Sequence, residues 1–268
     1  MNVLIAAGIG IVGSSVVHVS KGLMKLGIRN RARTIHLIGV LLNFSAPLWI
    51  MIANLFAAPV VYASMYASGL LSLLLFSRIV LNEHLYPRQI AGAVLVAVGT
   101  AILAFAEYAS QSPGISMSQR NPVLVLLVLW VSGSVVGTLA IRTFRLSAQE
   151  IWFGVAAGGF AALDAILKGM AQRTGELARF IPAAADAQVV LIGSFLVAAL
   201  AFVFIQWSYI RHCRASTMGI AYDLSFVTVP VIVFALTIPG YQLTGTTVAG
   251  LILLGFGAIM LVTGGHRV

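Results

Sequence analysis

Two carboxylates lie inside long apolar stretches of this 268-residue chain. A charge there is costly, so it marks a cavity, a partner or a pathway. Asp164 is followed four residues later by Lys168, which puts both on one face of a helix. A carboxylate so placed could bind a cation or a proton, with Lys168 as its switchable partner. The pair could instead be an internal ion pair near an interface, with Lys168 snorkelling to the headgroups. Asp223 has Tyr222 and Ser225 beside it in sequence. It could take solute or a proton from a cavity, make a packing hydrogen bond, or sit at the interface near Arg214. His18, about one turn before Lys21, could exchange a proton near neutral pH; packing is its plainer role. Asn43 and Gln206 are amides that could meet a solute or simply join helices. Tyr62, Tyr66, Trp207, Tyr209 and Tyr222 could line a pocket for an organic solute, although belt and core packing are commoner uses of membrane aromatics. The candidate solute-binding set is therefore Asp164, Asp223, His18, Asn43, Gln206, Tyr222 and Lys168. Glu83 and His84 fall in a tight turn, where Glu83 caps a helix or pairs with Arg88.

The elements that must position these residues follow from composition. Hydrophobic residues make up 60% of the chain and charged residues 9%. A soluble surface cannot be covered with so few charges, and apolar runs of about 18 or more residues read as membrane spans. Nine spans fit, near 3–20, 34–55, 58–80, 88–108, 122–141, 150–170, 188–210, 216–237 and 244–264, with breakers such as Pro59, Pro87, Asn121-Pro122 and Pro239-Gly240 between them. The fold class expected is an all-α integral membrane protein in one polytopic domain over residues 1–268.

The net charge of +9 does not point to nucleic acid, because the basic residues sit between the apolar runs. With the N-terminus outside, Lys21, Lys25, Arg29, Arg31, Arg33, Arg78, Arg88, Arg142, Arg145, Arg211, Arg214 and Arg267 fall in the cytoplasm. Arg120, Arg173 and Arg179 fall outside, with Lys168 near the outer end of span six. That satisfies the positive-inside rule and places the C-terminus in the cytoplasm. The first run lacks a charged region ahead of it and reads as a retained helix. Cys213 is the only cysteine, which excludes an intramolecular disulfide and a thiolate metal cluster.

Catalytic signatures are missing. Gly8-Ile9-Gly10-Ile11-Val12-Gly13 spells G-x-G-x-x-G, but inside an apolar helix it allows close helix contact rather than dinucleotide binding. The same holds for Gly133-Ser134-Val135-Val136-Gly137 and Gly154-Val155-Ala156-Ala157-Gly158. There is no Walker loop, H-E-x-x-H or G-x-S-x-G. No cofactor is expected, and the chain does not read as an enzyme.

The two halves resemble each other. LYPRQIAGAVLVAVGTAIL, from Leu85, aligns without gaps to LTGTTVAGLILLGFGAIML, from Leu243, pairing Gly92 with Gly250 and Gly99 with Gly257. The same offset pairs Leu42, Phe44 and Trp49 with Leu200, Phe202 and Trp207. SKGLMKLG and LKGMAQRTG pair Lys21 with Lys168 and Gly22 with Gly169. Repeat A is then 1–108 and repeat B 150–268, with a linking helix at 122–141. A displacement of five spans inverts the second copy, an arrangement that places a solute site near the midplane.

These segments also carry a family resemblance. GSSVVHVSKGL, Gly13 to Leu23, looks like the first helix of NIPA-type magnesium transporters. The stretch SGLLSLLLFSRIVLNEHLYPRQIAGAVLVAVGTAIL resembles the helix pair of the wider drug/metabolite transporter (EamA-like) superfamily. That pair has an acidic residue and a leucine in its short loop and a glycine soon after, here Glu83, Leu85 and Gly92. The resemblance covers most of the chain. It implies a helical basket working by alternating access in a bacterial inner membrane, with magnesium as the expected solute. Magnesium keeps several waters and takes one or two carboxylates, which Asp164 and Asp223 could supply if they converge. The aromatics and sparse acids suit an alternative, an exporter of a small organic metabolite or drug-like cation. An alternative of another class is an intramembrane enzyme acting on lipid, with His18 and Asp164 as its acid–base pair. The partners expected are the solute or metal cation and the lipid bilayer, with a homodimer possible.

Overall fold

Backbone amides in hydrocarbon have no water to bond, so apolar stretches of this length must satisfy their N–H and C=O groups internally, as helices. The computed structural model describes residues 2–57, 59–66, 68–82, 86–110, 115–173 and 178–263, and its regular structure is helical throughout. The helices are α1 (Asn2–Arg29), α2 (Arg33–Asn43), α3 (Ala46–Asn54), α4 (Pro59–Tyr66), α5 (Gly69–Ile79), α6 (Pro87–Ser110), α7 (Arg120–Ile141), α8 (Leu146–Gln172), α9 (Ala185–Ile210), α10 (Ala215–Thr237) and α11 (Gly245–Thr263). A short 3₁₀ turn, Met117–Gln119, precedes α7. Among the described residues seven helical segments are long and apolar enough to cross a membrane, with α2 and α3 counting together as one, Arg33–Asn54. The chain is a helical membrane protein.

Three departures from the expected spans have physical causes. The first helix does not stop near residue 20; it runs on to Arg29, which takes Lys21 off the cytoplasmic surface and into the protein, fully buried. The charge that looked like a helix end is instead held by aromatic side chains. The second span is broken in the middle. Pro47 has no N–H for the carbonyl of Asn43, and the Ser45 amide bonds Leu42 O three residues back, at 3.1 Å. The third span is divided into α4 and α5, and there the Ser68 amide bonds Met65 O at 3.1 Å, again three residues back. Glu83, His84 and Leu85, which carried the loop reading and part of the resemblance, lie outside the described residues.

Burial sorts the helices. Between Phe153 and Gln172 nearly every residue of α8 is buried, and α10 is similarly enclosed, whereas only 11% of the spanning stretch of α7 is buried. α7 is therefore a peripheral helix with most of its apolar surface facing outward, and α8 forms the centre. Small residues set the close approaches. On α1, Gly10 faces Met65, Gly13 faces the Trp49 ring and Gly22 faces the Phe76 ring. On α8, Gly154 and Gly158 sit against the backbone carbonyls of Met218 and Tyr222 in α10.

The extensive contact between α6 and α11 rests on the glycines that the sequence halves share. A Cβ on Gly99 would lie 2.9 Å from Gly250 O, and one on Gly257 would lie 2.7 Å from Gly92 O. The two helices thus cross antiparallel, backbone to backbone. Adding one methyl at Gly257 is expected to cost roughly 1–3 kcal/mol through overpacking. Gly257→Ala should therefore lower the thermal midpoint of the purified protein. Gly255→Ala, whose Cβ meets nothing within 4 Å, should leave it unchanged or raise it.

Candidate functional site

Five ionisable side chains sit fully or almost fully buried on α1, α8 and α10: His18, Lys21, Asp164, Lys168 and Asp223. Each sits in a long apolar helix, so its partners must come from the same helix face or from packing between helices.

His18 and Asp223 find each other across 205 residues. The imidazole Nε2 lies 2.7 Å and 2.9 Å from the two carboxylate oxygens, and Nδ1 lies 2.7 Å from the carbonyl oxygen of Ser14. A carbonyl only accepts, so Nδ1 carries a hydrogen; Nε2 beside a carboxylate needs a second proton between them. The pair is thus neutral as a unit, whether drawn as imidazolium and carboxylate or as imidazole and carboxylic acid. Gly69 at the start of α5 packs directly on Ser14 and the His18 ring, leaving no room for a Cβ. The broken third span therefore delivers a glycine where the histidine needs one.

Asp164 and Lys168 form an ion pair within α8, and Lys168 Nζ is also 4.3 Å from the centroid of the Phe195 ring. Lys168 is fully buried in this pair and does not snorkel. Lys21 has no carboxylate within ion-pair distance among the described residues. Its ammonium rests on the face of Tyr222 at 3.5 Å, with the Tyr66 ring centroid at 5.4 Å, and donates to the Tyr66 hydroxyl at 3.4 Å. Tyr66 packs in turn on His18 (5.0 Å) and Phe226 (4.2 Å).

A cavity of about 180 Å³ opens beside this cluster. Asn43, Asp164, Tyr66 and Tyr222 contribute its polar groups, and Phe44, Phe195 and Phe202 much of its apolar wall. It lies between the α2–α3 break and α9, at the middle of both spans. Asn43 also accepts a 3.4 Å hydrogen bond from Ser20. Gln206 is elsewhere: its amide meets Met24 Sδ at 3.1 Å and joins α9 to α1. Of the other aromatics, Tyr62 is buried 6.0 Å from Tyr66, Tyr209 is in the core, and Trp207 packs on Phe153.

Two expected juxtapositions are replaced. His18 pairs with Asp223, not with Asp164, so the acid–base pair of the lipid-enzyme reading is not the one formed. Asp164 and Asp223 each hold a nitrogen partner of their own. Among the described residues no group of three or more His, Cys, Asp or Glu gathers in a way that could hold a metal.

Sequence reading missed two polar clusters at the ends of α8. Near its start, buried Glu150 accepts from the Arg214 backbone amide at 2.8 Å and from its guanidinium at 3.1 Å. Near its end, Gln172 accepts from Asn54 at 3.0 Å and donates to Met51 O at 3.2 Å. Glu150 in a nearly uncharged helix was the available signal, since a buried acid implies a partner.

No family model, curated protein or solved structure matches the chain.

Cutting one member of a buried pair leaves an uncompensated charge, a loss of about 3–5 kcal/mol, whereas removing both can be nearly neutral. Asp223→Leu should destabilise strongly. His18→Leu/Asp223→Leu should be much less destabilised than the sum of the single variants in a denaturation cycle.

Proposed function

We propose that this chain is a secondary transporter that carries a small organic solute across the bilayer by alternating access. The observation that carries the reading is the cavity at mid-span, lined by Asn43, Tyr66, Asp164 and Tyr222, whose lining residues in turn contact buried His18, Lys21 and Lys168. A structural membrane protein has no use for so much buried charge beside an empty space, whereas a solute pathway requires polar groups there.

Helix packing supports an inverted 4+1+4 arrangement of nine crossings. Counting α2–α3 and α4–α5 as one crossing each gives four before α7 and four after it. α8 packs chiefly on α9 and α10, as α1 packs on α2–α3 and α4–α5. The offset that aligns Gly92 with Gly250 and Gly99 with Gly257 turns the Gly92–Gly257 contact into the Gly250–Gly99 contact. Two halves related by an axis in the membrane plane would behave this way. The drug/metabolite transporter resemblance agrees with such a basket. Magnesium has less support than an organic solute, because both carboxylates are already engaged by nitrogen partners.

Counterflow into proteoliposomes, preloaded in turn with small organic acids, small organic amines and magnesium chloride, tests the reading. We expect saturable exchange for an organic solute and no chemical change in it. Removing Asp164 alone would strand Lys168, so the informative variant is Asp164→Asn/Lys168→Gln. It should stay monodisperse and lose most of the flux, about tenfold or more. Wild-type flux in that variant would take the pair out of the pathway.

The orientation has its own test. In the turn between α9 and α10, burial pushes the Cys213 thiol up to about 11, with Glu150 adding to the rise. The native cysteine should therefore stay silent to maleimides. Arg31→Cys should label only from the cytoplasmic side and Ser118→Cys only from outside; the reverse pattern would invert the topology.

A further inference from the structure

We infer that the cavity takes a monoanionic organic acid, one carboxylate-like head on an apolar body, rather than a cation. The inference rests on the transporter reading and names its solute class. It follows from the net charge of the buried groups. His18 and Asp223 are neutral as a unit, because Nδ1 is committed to Ser14 O and a proton lies between Nε2 and the carboxylate. Asp164 and Lys168 cancel each other. Lys21 is left over: fully buried, with a hydroxyl and a π face for partners and no carboxylate within ion-pair distance among the described residues, the nearby Asp223 being paired with His18. A buried, unbalanced ammonium is costly, and an anion arriving beside it would relieve that cost. A cation would add to it.

Two tyrosines connect Lys21 to the cavity wall. Lys21 donates to the Tyr66 hydroxyl and rests on the Tyr222 ring, and both tyrosines line the cavity. The Tyr66 hydroxyl accepts from Lys21, so its own hydrogen remains to be donated. Lys21 thus acts through the two tyrosines as a positioning residue, strengthening a donor that faces the solute. Asn43, also at the wall, can supply a further N–H. Asp164 reaches the same cavity, but its charge is held by Lys168 and adds little net field. The opposite wall, Phe44, Phe195 and Phe202, offers rings to an apolar body. The volume of about 180 Å³ suits a single substituted ring or short chain.

The test uses the full-length protein in nanodiscs and radiolabelled benzenesulfonate, an anion that stays charged at all relevant pH. Benzoate, benzyltrimethylammonium, magnesium chloride and the neutral isostere benzenesulfonamide serve as competitors. Saturable binding displaced by benzoate, and not by the cation or by magnesium, is expected. Lys21→Gln removes a charge without stranding a partner, so it should fold. It should also abolish the preference for sulfonate over sulfonamide, about a tenfold effect or more. A merely structural lysine would change both affinities together. The inference is overturned if benzenesulfonate does not bind, if the quaternary ammonium or magnesium displaces it, or if Lys21→Gln keeps the wild-type preference. Counterflow separates the two levels. Sulfonate binding without exchange would refute transport and leave the anion site; exchange of benzyltrimethylammonium without sulfonate binding would do the reverse.

Discussion

A charge carried into hydrocarbon must be answered by the protein itself, and the arrangement of this bundle follows from that demand. The His18–Asp223 contact ties α1 to α10 through groups that neither helix could bury alone. It also dictates the neighbours. Ser14 must present its carbonyl to Nδ1, and Gly69 must lack a side chain for α5 to reach the ring. Lys21 sits one turn further along α1 and is held by the rings of Tyr66 and Tyr222, which then wall the cavity. The polar centre and the packing of α1, α4 and α5 are therefore one construction.

Around that centre the central helix is fastened at both ends. Glu150 holds the turn entering α10 through Arg214, and Gln172 holds the end of α3 through Asn54 and Met51. Between these clusters, Gly154 and Gly158 bring α10 close enough to place Tyr222 and Asp223. The cavity opens where this tight packing ends, at the proline-broken α2–α3 segment.

Much of this was legible in the chain. Apolar run length located α6, α7, α9, α10 and α11 within a few residues, because span length is set by bilayer thickness. Asn43, Asp164 and Tyr222 line the cavity and His18, Lys168 and Asp223 are buried in the protein, and all were singled out because intramembrane polarity is rare enough to be informative. What the sequence did not show was pairing. Nothing in the spacing of His18 and Asp223 says that they meet, and the nearer guess, His18 with Asp164, fails because α10 rather than α8 reaches that face of α1. The end of α1 was misjudged for the opposite reason: a lysine was read as a boundary when aromatic faces allow it to be buried. Gln206 shows a third limit, an amide equally suited to solute or to packing that turned out to join two helices.

The tryptophans add a practical consequence. All four stand at seams between helices: Trp49 over Gly13, Trp130 over Gly159 with its indole N–H on Ala156 O, Trp152 over Gly137 and bonded to Thr138, and Trp207 against Phe153. Two of them join the peripheral α7 to α8, so that helix is pinned at two points along an otherwise loose flank. Intrinsic emission from this protein is therefore a built-in gauge of sliding between its parts, readable without any attached dye.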